Sequence, residues 1–161
     1  MSDHVLAPAA PAASPAAVGT RLLVVDADDR TRESMVGILG IRHRFTVIGS
    51  TGQVSEAIAI VRDKRPDVVI IDPRLPDVSG GVALIRRMRV IHPSVHILAV
   101  GWSPDLENTT LTAGAHAFMR KSLKPVELAH ALGRCLEDAP VAPEADPAPS
   151  PDSVPGRGLA L

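Results

Sequence analysis

Strand-like and helix-like segments alternate through the middle of this chain, and that alternation limits the folds open to it. Five apolar runs have β-strand character, and each precedes a segment with helical spacing of its apolar residues. The strand-like runs are RLLVVD, RFTVIGS, DVVIID, VHILAVG and HAFMRK. The third is continuously apolar, which is typical of a strand covered on both faces. We therefore predict an α/β fold, in which five βα units form a five-stranded parallel, doubly wound sheet with right-handed crossovers.

Residues typical of helix starts and ends mark the helices that are predicted between the strands. The first helix should end at Gly40, and the fifth should begin at Pro125. Ser103 and Pro104 form a cap and first-turn pair at the start of the fourth, which should end at Gly114. The second and third helices each have one apolar face, formed by Val54, Ala57, Ile58 and Val61 and by Leu84, Ile85, Met88 and Ile91 respectively.

The two ends of the chain differ in composition from the middle. Residues 1–19 and 139–161 are rich in Ala, Pro and Ser, lack periodic large apolar residues and contain nine of the fifteen prolines. Such segments bury too little surface to offset the entropy of ordering. We predict disordered tails at 1–19 and 139–161 and one domain at 20–138, with no DNA-binding helix-turn-helix after it.

Composition also restricts the location and the partners. The net charge is −1 and no basic patch dominates, so we do not expect direct nucleic-acid binding. No run approaches the roughly 20 apolar residues that span a bilayer, and prolines interrupt the first segment, so we expect neither a membrane span nor a secretory signal. The single cysteine, Cys135, fits a reducing cytoplasm.

Chemically active side chains follow several of the predicted strands. In parallel sheets of this kind, ligands bind beyond the carboxyl ends of the strands, where this chain has Asp26, Asp72 and Lys121. Two carboxylates a few ångströms apart repel by roughly 4 kcal/mol at an effective dielectric near 20, which favours a bound cation such as Mg²⁺. Carboxylates, Mg²⁺ and a lysine around one opening suit a phosphoryl group, which an aspartate can accept as an acyl phosphate. The alternative is that these residues only end strands and cap helices.

Three motifs in order, LLVVDADD, PDVVIIDPRLPDVSGG and AGAHAFMRKSLKPVEL, resemble the receiver (CheY-like) domain of two-component response regulators. The middle motif is the most specific, with an aspartate closing a strand, a proline four residues later and then a glycine at the start of a helix. The resemblance runs from about Arg21 to Leu136. It implies a flavodoxin-like fold. It also implies a stand-alone phosphorelay protein that takes a phosphoryl group from a histidine kinase or phosphotransfer protein. Such a protein is not an enzyme, apart from catalysing the transfer and loss of its own phosphoryl group.

The resemblance also implies roles for individual residues. Asp72 matches the phosphorylated aspartate, and Lys121 matches the lysine that pairs with the phosphoryl oxygens. The Mg²⁺ ligands would be Asp26, Asp72 and the backbone carbonyl of Arg74. Phe118 matches an aromatic residue that turns inward on activation. The surface around the fourth helix, fifth strand and fifth helix is the usual face for protein partners or homodimers.

Three positions depart from the family pattern. Ala27 replaces the second acidic metal ligand, which weakens or removes Mg²⁺ binding unless Asp28 compensates. Gly101 replaces the hydroxyl residue of the switch, for which Ser103 is the nearby substitute. Trp102 stands where the family usually has a small residue, and its ring would crowd the opening. Asp28 and Ser103 are also suited to capping the helices that follow them.

Two other functions remain open at this level. Ala27, Gly101 and Trp102 together favour a pseudo-receiver, a protein-interaction module whose state does not depend on phosphorylation. The segment DADD also resembles the D-x-D motif of haloacid-dehalogenase-like phosphatases. That family requires a further acidic pair on a later strand end after the lysine, and the predicted domain ends soon after Lys121.

Overall fold

The computed structural model describes residues 19–122 and 124–137, in which strands and helices alternate. The strands are β1 Thr20–Val25, β2 Phe45–Thr51, β3 Val68–Ile71, β4 His96–Gly101 and β5 Ala117–Arg120. The helices are α1 Asp29–Gly40, α2 Val54–Lys64, α3 Val78–Ile91, α4 Leu106–Ala113 and α5 Pro125–Glu137. Apart from Gly19, the predicted tails lie outside the described residues.

All five strands pair in parallel, in the order β2-β1-β3-β4-β5. The predicted α/β fold with a five-stranded, doubly wound sheet is therefore confirmed. β1 and β3 are neighbours, and the last residue of β1, Val25, pairs with the last residue of β3, Ile71. The residues that follow these two strands must therefore emerge side by side.

Apolar side chains cover both faces of the sheet, because successive residues of a strand point to opposite sides. On one face, strand residues pack under α2, α3 and α4; they are Leu23, Val25, Val69, Ile71, Ile97 and Ala99. On the other, strand residues pack under α1 and α5; they are Leu22, Val24, Val68, Ile70, Leu98 and Val100. The apolar faces predicted for α2 and α3 lie against this core.

The start of α4 differs from the prediction. The helix begins at Leu106 with Asp105 as its N-cap, whereas Ser103 and Pro104 form the turn before it. The Ser103 hydroxyl donates to the Asp105 carboxylate at 3.1 Å, and the amide of Leu106 donates to the carbonyl of Ser103 at 3.3 Å. The predicted start of α4 was wrong because a proline such as Pro104 suits a loop turn as well as the first residue of a helix. The predicted helix ends at Gly40 and Gly114 and the start at Pro125 are confirmed.

Within the described residues, no helix combines the length and the apolar character needed to cross a membrane.

Replacing either of two helical glycines by alanine should change the stability of the fold, in opposite directions. A Cβ at Gly81 would lie 1.9 Å from the carbonyl oxygen of Pro73, so Gly81→Ala should lower the free energy of unfolding by about 3 kcal/mol or more. A Cβ at Gly37, inside α1, would meet no atom within 4 Å, so Gly37→Ala should raise it by about 0.5–1 kcal/mol. Urea unfolding followed by circular dichroism measures both. Equal effects would contradict the close approach at Gly81.

Candidate functional site

Three charged residues converge beyond the carboxyl ends of the strands. Asp26 follows β1, Asp72 follows β3 and Lys121 follows β5. The Lys121 Nζ lies 2.7 Å from Oδ2 of Asp26 and 2.6 Å from Oδ2 of Asp72. Only 5% of the Lys121 side chain is exposed, against 1% for Asp26 and 12% for Asp72. The structure thus brings together the three residues that the sequence placed at one edge of the sheet.

The lysine carries the positive charge of this cluster. Burial lowers the pKa of the Lys121 ammonium, but its close contacts with the Asp26 and Asp72 carboxylates and their negative charge outweigh burial and raise the pKa above its ordinary value. Lys121 is therefore protonated at neutral pH. One ammonium between two carboxylates leaves a formal charge of −1 on the three groups, which still attracts a cation.

The remaining oxygens of the two carboxylates accept hydrogen bonds from the main chain. The amide of Asp28 donates to Oδ1 of Asp26, and the amide of Arg74 donates to Oδ1 of Asp72, each at 2.9 Å. The contact of Lys121 with Oδ2 of Asp72 is a directed hydrogen bond. Oδ2 of Asp26 is buried and has an ion-pair contact with Lys121, but it receives no well-angled hydrogen bond from the described residues. That oxygen keeps acceptor capacity for a metal ion or a water.

The oxygen ligands available to Mg²⁺ are fewer than the family pattern provides. Ala27 offers no side-chain oxygen, and Oδ1 of Asp28 accepts from the amide of Thr31 at 2.7 Å as the N-cap of α1. This hydrogen bond is the main reason why the pKa of Asp28 lies below its usual value. The described part of the chain has no group of three or more His, Cys, Asp or Glu side chains suited to a metal. Asp26 and Asp72 fit Mg²⁺ only as a pair that waters and a main-chain carbonyl complete.

Arg32 is a member of this region that sequence reasoning missed. Its guanidinium donates to the main-chain carbonyl of Asp26 at 2.6 Å and pairs with Asp29. It also lies against Gly52, where a Cβ would be 3.0 Å from Nη1. Arg32 thus fixes the loop that carries Asp26 and adds a cation near the acids. The Asp29–Arg32 spacing is a signal in the sequence, but that spacing usually marks a surface ion pair.

An aromatic ring fills the space beside the glycine that ends β4. A Cβ at Gly101 would lie 3.3 Å and 3.4 Å from two ring carbons of Phe118 and 3.3 Å from Leu106. A side chain at position 101 would therefore require the Phe118 ring or Leu106 to move by a few tenths of an ångström. The Ser103 hydroxyl, the nearby substitute, donates to Asp105 instead. Gly101 therefore offers no hydroxyl at the switch position, and the Ser103 hydroxyl is engaged in the turn before α4.

Trp102 stands next to the charged cluster with 61% of its surface exposed. Lys121 Nζ is 5.8 Å from the centre of the indole ring, within the range of a cation–π interaction. The same ammonium therefore contacts both carboxylates and lies near the indole.

Comparison with known protein families shows which family the chain belongs to. Residues 22–133 match the response regulator receiver domain. The chain belongs to that family. Receiver domains are signalling phospho-acceptors rather than classical enzymes, histidine kinases phosphorylate them, and they generally bind Mg²⁺. Membership of the receiver family leaves the phosphatase alternative without support.

The receiver domain is similar to parts of longer proteins. It is 34% identical over 125 residues to the DNA-binding transcriptional activator DevR/DosR of Mycobacterium tuberculosis, covering 73% of this chain and 57% of that protein. It is 29% identical over 114 residues to the response regulator GacA of Pseudomonas viridiflava, covering 70% and 53%. The chain thus spans little more than half the length of these relatives. The solved receiver domain of NarL from Mycobacterium tuberculosis has the same fold, with a TM-score of 0.67, 24% identity and coverage of 74% of this chain and 97% of that one.

Removing the lysine of the receiver site should cost more stability than neutralising one acid. Lys121→Met leaves two neighbouring carboxylates without their shared cation and should lower the free energy of unfolding by about 3 kcal/mol. Asp72→Asn keeps the ion pair of Lys121 with Asp26 and should change the free energy of unfolding by at most about 1 kcal/mol. Urea unfolding at neutral pH with a chelator present measures both. Equal losses would show that Lys121 does not hold the two acids together.

Restoring the missing acid should strengthen Mg²⁺ binding. Ala27→Asp adds a carboxylate beside Asp26 and Asp72, and we expect the Mg²⁺ dissociation constant to fall by about tenfold or more because ligand charge sets affinity. Ala27→Asn is the matched control, since it adds similar bulk without charge. Titration of Mg²⁺ with Trp102 fluorescence as the signal measures each variant. Equal affinities for the Asp and Asn variants would contradict a metal site at these residues.

Proposed function

We propose that this receiver accepts a phosphoryl group on Asp72 from a histidine kinase or phosphotransfer protein and signals through protein contacts. The observation that carries the proposal is the difference between the two acids. Asp72 holds Lys121 at 2.6 Å and remains 12% exposed, whereas Asp26 is 1% exposed. Asp72 is thus the carboxylate of the pair that a donor reaches, with a cation in contact.

The chemistry assigned to these residues is an in-line phosphoryl transfer. A carboxylate oxygen of Asp72 attacks the phosphorus, and the bond from phosphorus to the donor's imidazole nitrogen breaks, leaving the electron pair on that nitrogen. Lys121 offers its protonated ammonium to the transferred oxygens, and Asp26 holds Lys121 in place. When bound, Mg²⁺ would neutralise charge on those oxygens, with Asp26, Asp72 and the carbonyl of Arg74 as its protein ligands.

The proposed output is a protein contact at the α4–β5–α5 surface. A groove of about 850 Å³ lies along the β5 and α5 part of this surface, where Arg44, Arg120 and Arg134 stand beside Glu127 and Glu137. Charges of both signs suit a protein partner or a second copy of the chain better than nucleic acid, whose backbone requires a positive surface.

A second candidate function is a phosphorylation-independent binding module. It is favoured by Gly101, which has no hydroxyl, and by the Phe118 ring that lies against it. In that case the α4–β5–α5 surface would stay the same whether or not Asp72 carries a phosphoryl group. Ala27 supports the same candidate because it weakens the metal site.

Intact-mass measurement tests the first function. We expect wild-type protein incubated with Mg²⁺ and acetyl phosphate, or with a phosphorylated histidine phosphotransfer protein, to gain the mass of one phosphoryl group. Asp72→Asn should gain none, because it lacks the attacking carboxylate. Asp63→Asn, an exposed position on α2, is the control and should match the wild type. A gain that survives in Asp72→Asn, or no gain in the wild type with any donor, would refute the proposal.

Hydrogen exchange separates the two candidates in the same protein. With Mg²⁺ and beryllofluoride as a phosphoryl mimic, a phosphorylation-dependent receiver should change its exchange rates in α4 and β5. Binding of the mimic without a change in these elements would favour the independent module. The Asp72→Asn variant shows which changes require the carboxylate.

A further inference from the structure

A second cluster of polar side chains lies at the amino end of the sheet, opposite the acidic site. At its centre is His92, the residue that follows α3, with only 8% of its surface exposed. Its Nε2 lies 3.1 Å from the carbonyl oxygen of Pro66, and its Nδ1 lies 3.0 Å from Nη2 of Arg65. Arg65 follows α2, and Pro66 lies in the short connection to β3. One buried ring therefore joins the ends of two helices to the start of a strand.

The two partners determine which ring nitrogen carries the proton. A carbonyl oxygen can only accept a hydrogen bond, so Nε2 of His92 donates to Pro66. A guanidinium can only donate, so Nδ1 keeps its lone pair and accepts from Arg65. His92 is therefore neutral in this structure. A proton added at Nδ1 would turn that acceptor into a donor and place a second positive charge against the guanidinium.

The surroundings of the ring also disfavour the protonated form. Burial is the main reason why the pKa of His92 lies below its ordinary value, and the guanidiniums of Arg65 and Arg89 lower it further. The hydrogen bond to Pro66 and the carboxylate of Asp67 act in the opposite direction but do not reverse the shift. The neutral imidazole is thus favoured by its burial and by the two cations that face it.

A cavity of about 370 Å³ beside the ring contains an alternative partner for an added proton. The Ser94 hydroxyl lies 3.3 Å from Nδ1 of His92. Because a hydroxyl oxygen can accept as well as donate, it can receive the Nδ1–H that Arg65 cannot. Asp67 and His96 are the other titratable side chains that line this cavity. The ring therefore has one partner for its neutral form and another for its protonated form.

The main chain of Arg65 has an unfavourable conformation at this junction. Its φ is 45°, in the left-handed region that costs a residue with a Cβ. Its amide donates to the carbonyl of Val61 at 3.2 Å, and its carbonyl accepts from Nη1 of Arg21 at 3.1 Å. The contact with His92 adds a link from this turn to α3. Loss of that contact leaves the left-handed turn with less to hold it in place.

We propose that the contact between His92 and Arg65 is an acid-sensitive link that holds the ends of α2 and α3 together while His92 is neutral. When a proton from solvent binds Nδ1, the ring donates to Ser94 instead, the guanidinium of Arg65 is released, and the turn between α2 and β3 loosens. The link lies at the end of the sheet opposite Asp72, so it does not depend on the proposed phosphoryl transfer.

The link makes stability depend on pH in a defined direction. The unfolded chain binds a proton at His92 with the ordinary pKa of 6.5, whereas the folded chain binds it only at lower pH. The stability that neutral His92 contributes is therefore present above about pH 6.5. It is lost as the pH falls from there through the lower folded-state pKa.

Urea unfolding of the full chain tests this dependence. The wild type should have a lower urea midpoint at about pH 5.5 than at about pH 7.5, on the two sides of the ordinary histidine pKa. His92→Gln keeps an amide donor and a carbonyl acceptor but does not titrate, so it should lose at most about half as much. His43→Gln removes an exposed histidine between α1 and β2 and is the matched control, which should follow the wild type.

Nuclear magnetic resonance tests the part played by Arg65. In a titration of the imidazole signals, Arg65→Gln should raise the pKa of His92 because it removes the neighbouring cation. The amides of Arg65 and Asp67 donate to the carbonyls of Val61 and Arg21. Their protection against hydrogen exchange should decrease at acid pH in the wild type and should be retained in His92→Gln.

The outcomes concern the link alone, because no phosphoryl donor is present. Equal pH dependence in the wild type and in His92→Gln would overturn the proposal. So would a His92 pKa that lies at or above its ordinary value, or one that does not change in Arg65→Gln. If His92→Gln does not fold, the titrations of the wild type and of Arg65→Gln still decide the question.

Discussion

One ammonium shared by two carboxylates is the interaction on which the carboxyl end of this sheet depends. Parallel pairing of β1 with β3 forces Asp26 and Asp72 together, and their repulsion would oppose that pairing if no cation were present. Lys121 arrives from the edge strand β5, 49 residues after Asp72, and supplies the charge. The strand order, the register and the charge balance are therefore parts of one arrangement, and the proposed phosphoryl transfer would use the same three groups.

The departures of this receiver from its family change the surroundings of that arrangement. Ala27 removes a negative charge from the metal side, while Arg32 adds a positive one against the carbonyl of Asp26. At the end of β4, Gly101 makes room for the Phe118 ring and is followed by the indole of Trp102. The site thus has less charge for Mg²⁺ and more aromatic surface. The carboxylates of Asp26 and Asp72 and their contact with Lys121 remain.

The spacing of apolar residues predicted most of the secondary structure, because buried positions recur with the period of the strand or helix that contains them. The apolar runs became strands with both faces covered, and the apolar faces of α2 and α3 lie on the core. The start of α4 was predicted wrongly, since Ser103 and Pro104 suit a turn as well as a helix start. Arg32 was missed because an arginine three residues after Asp29 resembles an ordinary surface pair.

By itself, the sequence determined the order of the βα units and therefore the end of the sheet at which Asp26, Asp72 and Lys121 emerge. It also showed that Ala27 and Gly101 lack the oxygens that the family pattern supplies. Only the tertiary structure decided that Lys121 contacts both acids, that Asp28 and Ser103 use their side chains for caps and turns, and that Trp102 lies near Lys121. Periodicity reports which face of an element is buried, whereas these contacts depend on strand register and side-chain packing between residues far apart in the chain.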